Sequence, residues 1–216
     1  MLTRDEVRAR IEDTGIIPAI RVSSAKDALF AANAVFNAGI LIAEVTMTTP
    51  GAAEVIAELV RVNPDAAVGA GTVLDVDTAQ RCLKAGASFL TSAGLDLETL
   101  TFAEKNKVLV IPGALTPTEI MAAHKAGADF VKVFPCAQVG GPGYIRAMKA
   151  PFPDVPMIAS GGVTQHTAGD FIHAGATALG IGEDLIPHEA IENQDLDWIR
   201  ELSRRFQTIV KRARTR

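Results

Sequence analysis

The sequence predicts an α/β fold, a single (β/α)8 TIM barrel with an extra N-terminal helix. Three observations carry that expectation. Eight short apolar runs recur: "GIIPAIR", "LIAEVT", "AAVGAGT", "SFLTSAG", "VLVIPG", "DFVKVF", "PMIASGG" and "TALGIG". They are spaced by roughly 20 to 26 residues, each followed by a stretch of helical period, which is the pattern of consecutive βαβ units around a parallel sheet. A junction also repeats: "KAGASFL" (Lys84–Leu90), "KAGADFV" (Lys125–Val131) and "HAGATAL" (His173–Leu179) each read as a helix end, a glycine, an alanine and a new strand. The third observation concerns the rival open sheet. Doubly wound sheets alternate strands and helices too, but no G-x-G-x-x-G fingerprint follows a strand here, and "GAGTV" (Gly69–Val73) is too short a match.

The elements follow in order. An amphipathic helix from Leu2 to about Asp13 precedes the first strand. Gly39, Gly86, Gly127 and Gly175 stand where left-handed C-caps are expected, a conformation glycine adopts without a Cβ clash. Thr49 reads as an N-cap with Pro50 at the first helical position. Thr116, Pro117 and Glu119 have capping-box spacing. Val55, Ile56, Leu59 and Val60 recur with helical period. The final helix is expected from about Asp195 to about Arg212. With 216 residues, 48% of them hydrophobic, and no linker or low-complexity segment, residues 1–216 are read as one domain.

Composition excludes several functions. A net charge of −4 argues against a general nucleic-acid binder, and the basic end "KRARTR" suits the C-terminal dipole of a helix. Two cysteines, Cys82 and Cys136, are too few for a disulfide framework and are read as small apolar residues. The opening "MLTRDEVRARIEDTG" is charged throughout, unlike a signal peptide, and no apolar stretch approaches the roughly 18 residues of a membrane helix. A cytoplasmic protein without membrane or nucleic-acid partners is expected. His124, His166, His173 and His188 have no carboxylate cluster at ligand spacing, so neither a metal site nor a cofactor is expected.

The informative residue is the lysine inside "DFVKVFPC" (Asp129–Cys136). Side chains alternate along a strand, so Phe130, Lys132 and Phe134 share one face and Val131 and Val133 the other. The valines need burial under helices, which turns Lys132 inward. The same parity groups Ile17, Ala19 and Arg21; Ile42, Glu44, Thr46 and Thr48; Val68, Ala70 and Thr72; and Ile158 and Ser160. Parity does not say which face is inner. The choice rests on Lys132, since a charge between barrel and helices would be costly. One lysine, one glutamate, one arginine and several hydroxyls then converge near the C-terminal strand ends, where barrel enzymes keep their active sites.

Desolvation disfavours an ammonium, and a neutral amine attacks ketones. The resulting iminium withdraws electrons from the neighbouring carbon–carbon bond, and a nearby carboxylate can shuttle the protons. That is metal-free aldolase chemistry, with Lys132 as nucleophile and Glu44 as acid/base. A structural ion pair between the two, Arg21 as its cap, and Thr46, Thr48 and Thr72 as plain strand formers are the blander readings. "ASGGV" (Ala159–Val163) and "LGIGED" (Leu179–Asp184) are glycine-rich turns at the loops where barrels often bind phosphate, which points to Gly161, Gly162 and Gly182.

The matches "AEVTMTTP", "VGAGTVL", "VIPGALTPTEI", "FVKVFP" and "SGGV", in this order, make the chain resemble the 2-keto-3-deoxy-6-phosphogluconate (KDPG) and 4-hydroxy-2-oxoglutarate (KHG) aldolases over essentially its whole length. The resemblance implies a class I, Schiff-base (β/α)8 aldolase, usually a homotrimer. Such an enzyme cleaves 2-dehydro-3-deoxy-6-phosphogluconate to pyruvate and glyceraldehyde 3-phosphate, late in the Entner–Doudoroff route. It aligns Lys132 with the Schiff-base lysine, Glu44 with the acid/base, Thr72 with a substrate contact, and Gly161 and Gly162 with the phosphate turn. Phe134, Ser160, Arg21, Thr46 and Thr48 complete the expected substrate surround. The departures are Thr48 where some members carry arginine, Ala93 in "SAG", Ala159-Ser160 before the glycine pair, and Glu183 where many members have serine or glycine. The 2-dehydro-3-deoxy-6-phosphogalactonate epimer, 4-hydroxy-2-oxoglutarate and an unphosphorylated sugar acid are alternative substrates. A sugar-phosphate isomerase or epimerase and a non-catalytic keto-acid-binding barrel are the readings from other classes.

Overall fold

The structure is a computed structural model and describes residues 2–215. Nine strand segments form one all-parallel sheet: β1 (Ile16–Ile20), β2 (Ile42–Thr46), β3 (Ala67–Gly71), β4 (Phe89–Thr91), β5 (Leu109–Ile111), β6 (Gly113–Ala114), β7 (Val131–Val133), β8 (Met157–Ser160) and β9 (Ala178–Ile181). Their order is β5-β4-β3-β2-β1-β9-β8-β7-β6. The two outermost segments, β5 and β6, are halves of one stretch interrupted at Pro112, which has no N–H to give a ladder. The ring therefore closes through the chain itself, β5 pairing with β4 and β6 with β7. The eight runs expected from the sequence are the eight staves of this barrel.

Ten α-helices surround it: α1 (Arg4–Thr14), α2 (Ala25–Asn37), α3 (Ala52–Val62), α4 (Val76–Lys84), α5 (Leu97–Lys105), α6 (Pro117–Lys125), α7 (Pro142–Lys149), α8 (Ala168–His173), α9 (His188–Glu192) and α10 (Leu196–Arg214). The capping box at Thr116 and Glu119 is present, with Pro117 opening α6. Gly86, Gly127 and Gly175 follow their helices at φ of 95°, 94° and 104°, as the repeated junction required. Thr49 is a correction. It does not cap α3, which starts at Ala52 behind Gly51 in the left-handed region. Thr49 is buried instead, its hydroxyl accepting from Val22 N–H at 3.4 Å.

Helix α1 packs against β1, β5 and β9, burying Val7 and Ile11. It also ties down the start of β7. Asp129, three residues before Lys132, is buried and accepts from Arg4 Nε at 2.8 Å, Arg8 Nη2 at 3.1 Å and Val110 N–H at 3.0 Å. The Arg8 guanidinium lies 4.9 Å from the Phe130 ring centroid. The hydrogen bonds that Arg4 donates to Asp129, first, and to Glu104 hold it well above the usual guanidinium range.

The register corrects one face assignment. Glu44 pairs with Gly69, and Gly69 with Phe89, so the inward residues of β3 are Gly69 and Gly71 rather than Val68 and Ala70. A Cβ on Gly69 would overlap the Phe89 ring, and one on Gly71 would overlap the Glu44 carboxylate. Bulk that enters the barrel from β4 and β2 is accommodated by the missing side chains of β3.

Candidate active site

The C-terminal ends of the strands open on a cavity of about 400 Å³. Its walls include Lys132, Glu44, Arg21, Thr46, Thr72, Phe134, Ser160, Gly161, Gly162 and Gly182, so ten of the expected site residues converge there. Thr48 is the exception, exposed beside the mouth and reaching the cavity only through a hydrogen bond to Arg21.

Lys132 rises from the middle of β7 and Glu44 from the middle of β2. Lys132 Nζ stands 3.5 Å from Glu44 Oε2, with 12% and 5% of the two side chains exposed. The two form an ion pair whose separation is longer than a typical N–H···O hydrogen bond. The Lys132 ammonium lies 5.6 Å from the Phe134 ring centroid, within reach of the negative ring face. An amine and a carboxylate from strands on opposite sides of the ring thus meet in the cavity lining.

A hydroxyl chain orients the cation at the mouth. Arg21 Nη1 donates to Thr48 Oγ1 at 2.9 Å, and Thr46 and Thr48 hydroxyls lie 3.0 Å apart. Thr46 donates to the Ile20 carbonyl at 3.1 Å, so it accepts from Thr48. The polarity runs from the guanidinium across β2 and back to β1. Arg21 Nη2 reaches Thr72 Oγ1 at 3.4 Å. Thr72 enters the cavity because its φ is 58°, rare for a β-branched residue. Strand parity gave it the right destination for the wrong reason.

Gly161 and Gly162 have φ of 85° and 81° and sit tightly under the segment after β7. Ala137 N–H donates to the Gly161 carbonyl at 3.0 Å, and Cys136 N–H to the Ser160 carbonyl at 2.8 Å. A Cβ on Gly162 would overlap the Ala137 methyl. Gly180 leaves room for Ser160 Oγ, which a Cβ there would approach to 2.7 Å.

Sequence reasoning missed Asp184, Ile186 and His188, which line the same end as Gly182 and Glu183. Asp184 is the last residue of the "LGIGED" turn, and Ile186 and His188 follow it closely. Both thiols lie away from this chemistry: burial pushes Cys82 and Cys136 up to about 11. Among the described residues no cluster of three or more His, Cys, Asp or Glu could hold a metal ion, and no helix is long and apolar enough to cross a membrane.

A parallel barrel with a lysine facing a glutamate at its C-terminal mouth has the form of a Schiff-base lyase. The sequence profile of the KDPG and KHG aldolases matches residues 7–202. The chain is 32% identical to the 2-dehydro-3-deoxy-phosphogluconate aldolase of Pseudomonas aeruginosa over 204 residues, 93% of each protein. It is 32% identical to the KHG/KDPG aldolase of Escherichia coli over 189 residues, 88% of this chain and 89% of that one. A solved KDPG aldolase from Legionella pneumophila, with pyruvate captured as a covalent carbinolamine intermediate, superposes at a TM-score of 0.85, with 32% identity over 91% of this chain and 96% of that one. The chain belongs to the KDPG and KHG aldolase family and is a pyruvate aldolase, a carbon–carbon lyase.

Proposed function

We propose that the chain is a class I aldolase that cleaves a 2-keto-3-deoxy sugar acid, with Lys132 as the Schiff-base nucleophile and Glu44 as the proton carrier. The observation that carries this reading is the 3.5 Å ion pair of Lys132 Nζ and Glu44 Oε2 in the cavity lining. The reference substrate is 2-dehydro-3-deoxy-6-phosphogluconate, from the names of the relatives.

The free Lys132 amine attacks the C2 ketone, and Glu44 protonates the oxygen, giving a carbinolamine. Loss of water yields the iminium. Glu44 then takes the proton of the C4 hydroxyl, the C3–C4 bond breaks, and its electrons flow into the iminium as an enamine. The aldehyde, glyceraldehyde 3-phosphate for the reference substrate, departs. Protonation at C3 and hydrolysis release pyruvate and restore the amine. Arg21, held by Thr48 and facing Thr72, offers a cation for a substrate carboxylate. Thr46 and Ser160 supply hydroxyl contacts, Phe134 an apolar wall, and Gly161, Gly162 and Gly182 close approach of backbone to the distal end of the substrate. No cofactor is required for these steps.

The same reading takes residues 1–216 as one aldolase domain working as a cytoplasmic homotrimer, supported by the resemblance to the family. Pyruvate release from the reference substrate and its stereoisomers, with Lys132→Met as the control, tests the function. Release by the wild type alone is expected; equal release by the variant contradicts it. Light scattering coupled to size exclusion measures the assembly.

A further inference from the structure

The part of the cavity lined by the turns after β8 and β9 carries two acidic residues, both exposed. Glu183 and Asp184 line it together with Gly161, Gly162 and Gly182. Neither carboxylate is in an ion pair among the described residues. The cationic side chains of the cavity are engaged elsewhere. Lys132 faces Glu44, and Arg21 is drawn over β2 and β3 by Thr48 and Thr72. His188 is the one further titratable group lining this end.

The N–H groups of Leu185 and Ile186 donate to the Gly182 carbonyl at 3.0 and 2.9 Å, so these two donors of the turn are taken. Asp184 is raised above the usual carboxylate range, by burial first and then by the charge of Glu183. The pair repels itself without a compensating cation.

Such an end suits a hydrogen-bond donor. A sugar hydroxyl donates to a carboxylate, whereas a phosphate dianion only accepts and brings further negative charge. Resting on the aldolase reading, we infer that Glu183 and Asp184 make the distal end a hydroxyl-binding subsite, so that the enzyme cleaves unphosphorylated 2-keto-3-deoxy sugar acids at least as efficiently as their phosphate esters.

The test compares kcat/KM for 2-keto-3-deoxygluconate and its 6-phosphate near neutral pH, read as pyruvate release. The wild type is expected to favour the unphosphorylated acid or to treat the two alike. In Glu183→Gln/Asp184→Asn the ratio of unphosphorylated to phosphorylated is expected to fall by about tenfold or more, as repulsion of the dianion is relieved. A general loss of activity cancels in that ratio. A wild type that prefers the ester, or a ratio the double variant leaves unchanged, overturns the inference while the aldolase reading stands. Release of pyruvate from neither of these, nor from their galactonate epimers or 4-hydroxy-2-oxoglutarate, overturns the aldolase reading itself.

Discussion

The carboxylate of Glu44 fills the space that a side chain on Gly71 would take: a Cβ built there overlaps Glu44 Oε1. The position of the acid/base candidate is therefore set from the neighbouring strand. Gly71→Ala would force Glu44 away from Lys132. A displacement of about 1 Å at a reacting centre can cost on the order of 100-fold, so kcat is expected to drop by about that factor. Steady-state kinetics with a thermal melt as the folding control measures it, and an unchanged kcat would remove Glu44 from the chemistry.

Glu44→Gln keeps the shape of the side chain and removes its ability to carry a proton. Cleavage is expected to slow by roughly 100- to 10,000-fold, the usual worth of a positioned acid/base. Pyruvate affinity should change far less. Equal losses in the two would mean that Glu44 acts as a structural partner of Lys132.

Arg21 is held at the mouth by Thr48 and reaches Thr72. Arg21→Ala is expected to raise KM by about tenfold or more with a smaller effect on kcat, because a cation for the substrate carboxylate is lost in ground and transition states alike. Thr48→Val should shift KM the same way and less. If kcat alone falls, Arg21 has another task.

Asp129 is 2% exposed and receives two arginines and a backbone amide. Asp129→Ala leaves the arginines facing an emptied acceptor, and a loss of about 3 kcal/mol is expected from urea unfolding. Arg4→Ala should cost about 1 kcal/mol, since that side chain keeps partial contact with water. A neutral Asp129→Ala would show that α1 holds β7 by apolar contact alone.

Burial raises both thiols to about 11, and the reactive species is the thiolate. Alkylation by iodoacetamide near neutral pH should therefore modify neither Cys82 nor Cys136 in the native protein and both after denaturation. Rapid native labelling at Cys136 would place a nucleophile beside the strand exit.

Much of this arrangement was legible because it rests on local rules. The eight staves showed as apolar runs, and the turn glycines followed from φ angles only glycine tolerates. The inward turn of Lys132 followed from the flanking valines. What stayed hidden depends on neighbours distant in sequence. Val68 and Ala70 read as an inner face because they are apolar. That Gly69 and Gly71 face inward is dictated by Phe89 and Glu44, which lie on adjacent strands. Thr49 had every local mark of an N-cap, but the left-handed turn at Gly51 delays the helix and leaves Thr49 to β2 and the segment after β1. Asp184 and His188 could not be placed, because the path of the chain after β9 decides which side chains reach the cavity.

The central claim is that the Lys132 amine becomes covalently joined to the keto acid. Incubation with pyruvate and sodium borohydride, followed by peptide mass analysis, tests it most directly. A stable reduced adduct on the peptide carrying Lys132, absent without pyruvate and absent in Lys132→Met, is the predicted result. An enzyme that turns over its substrate while Lys132 stays unmodified would contradict it.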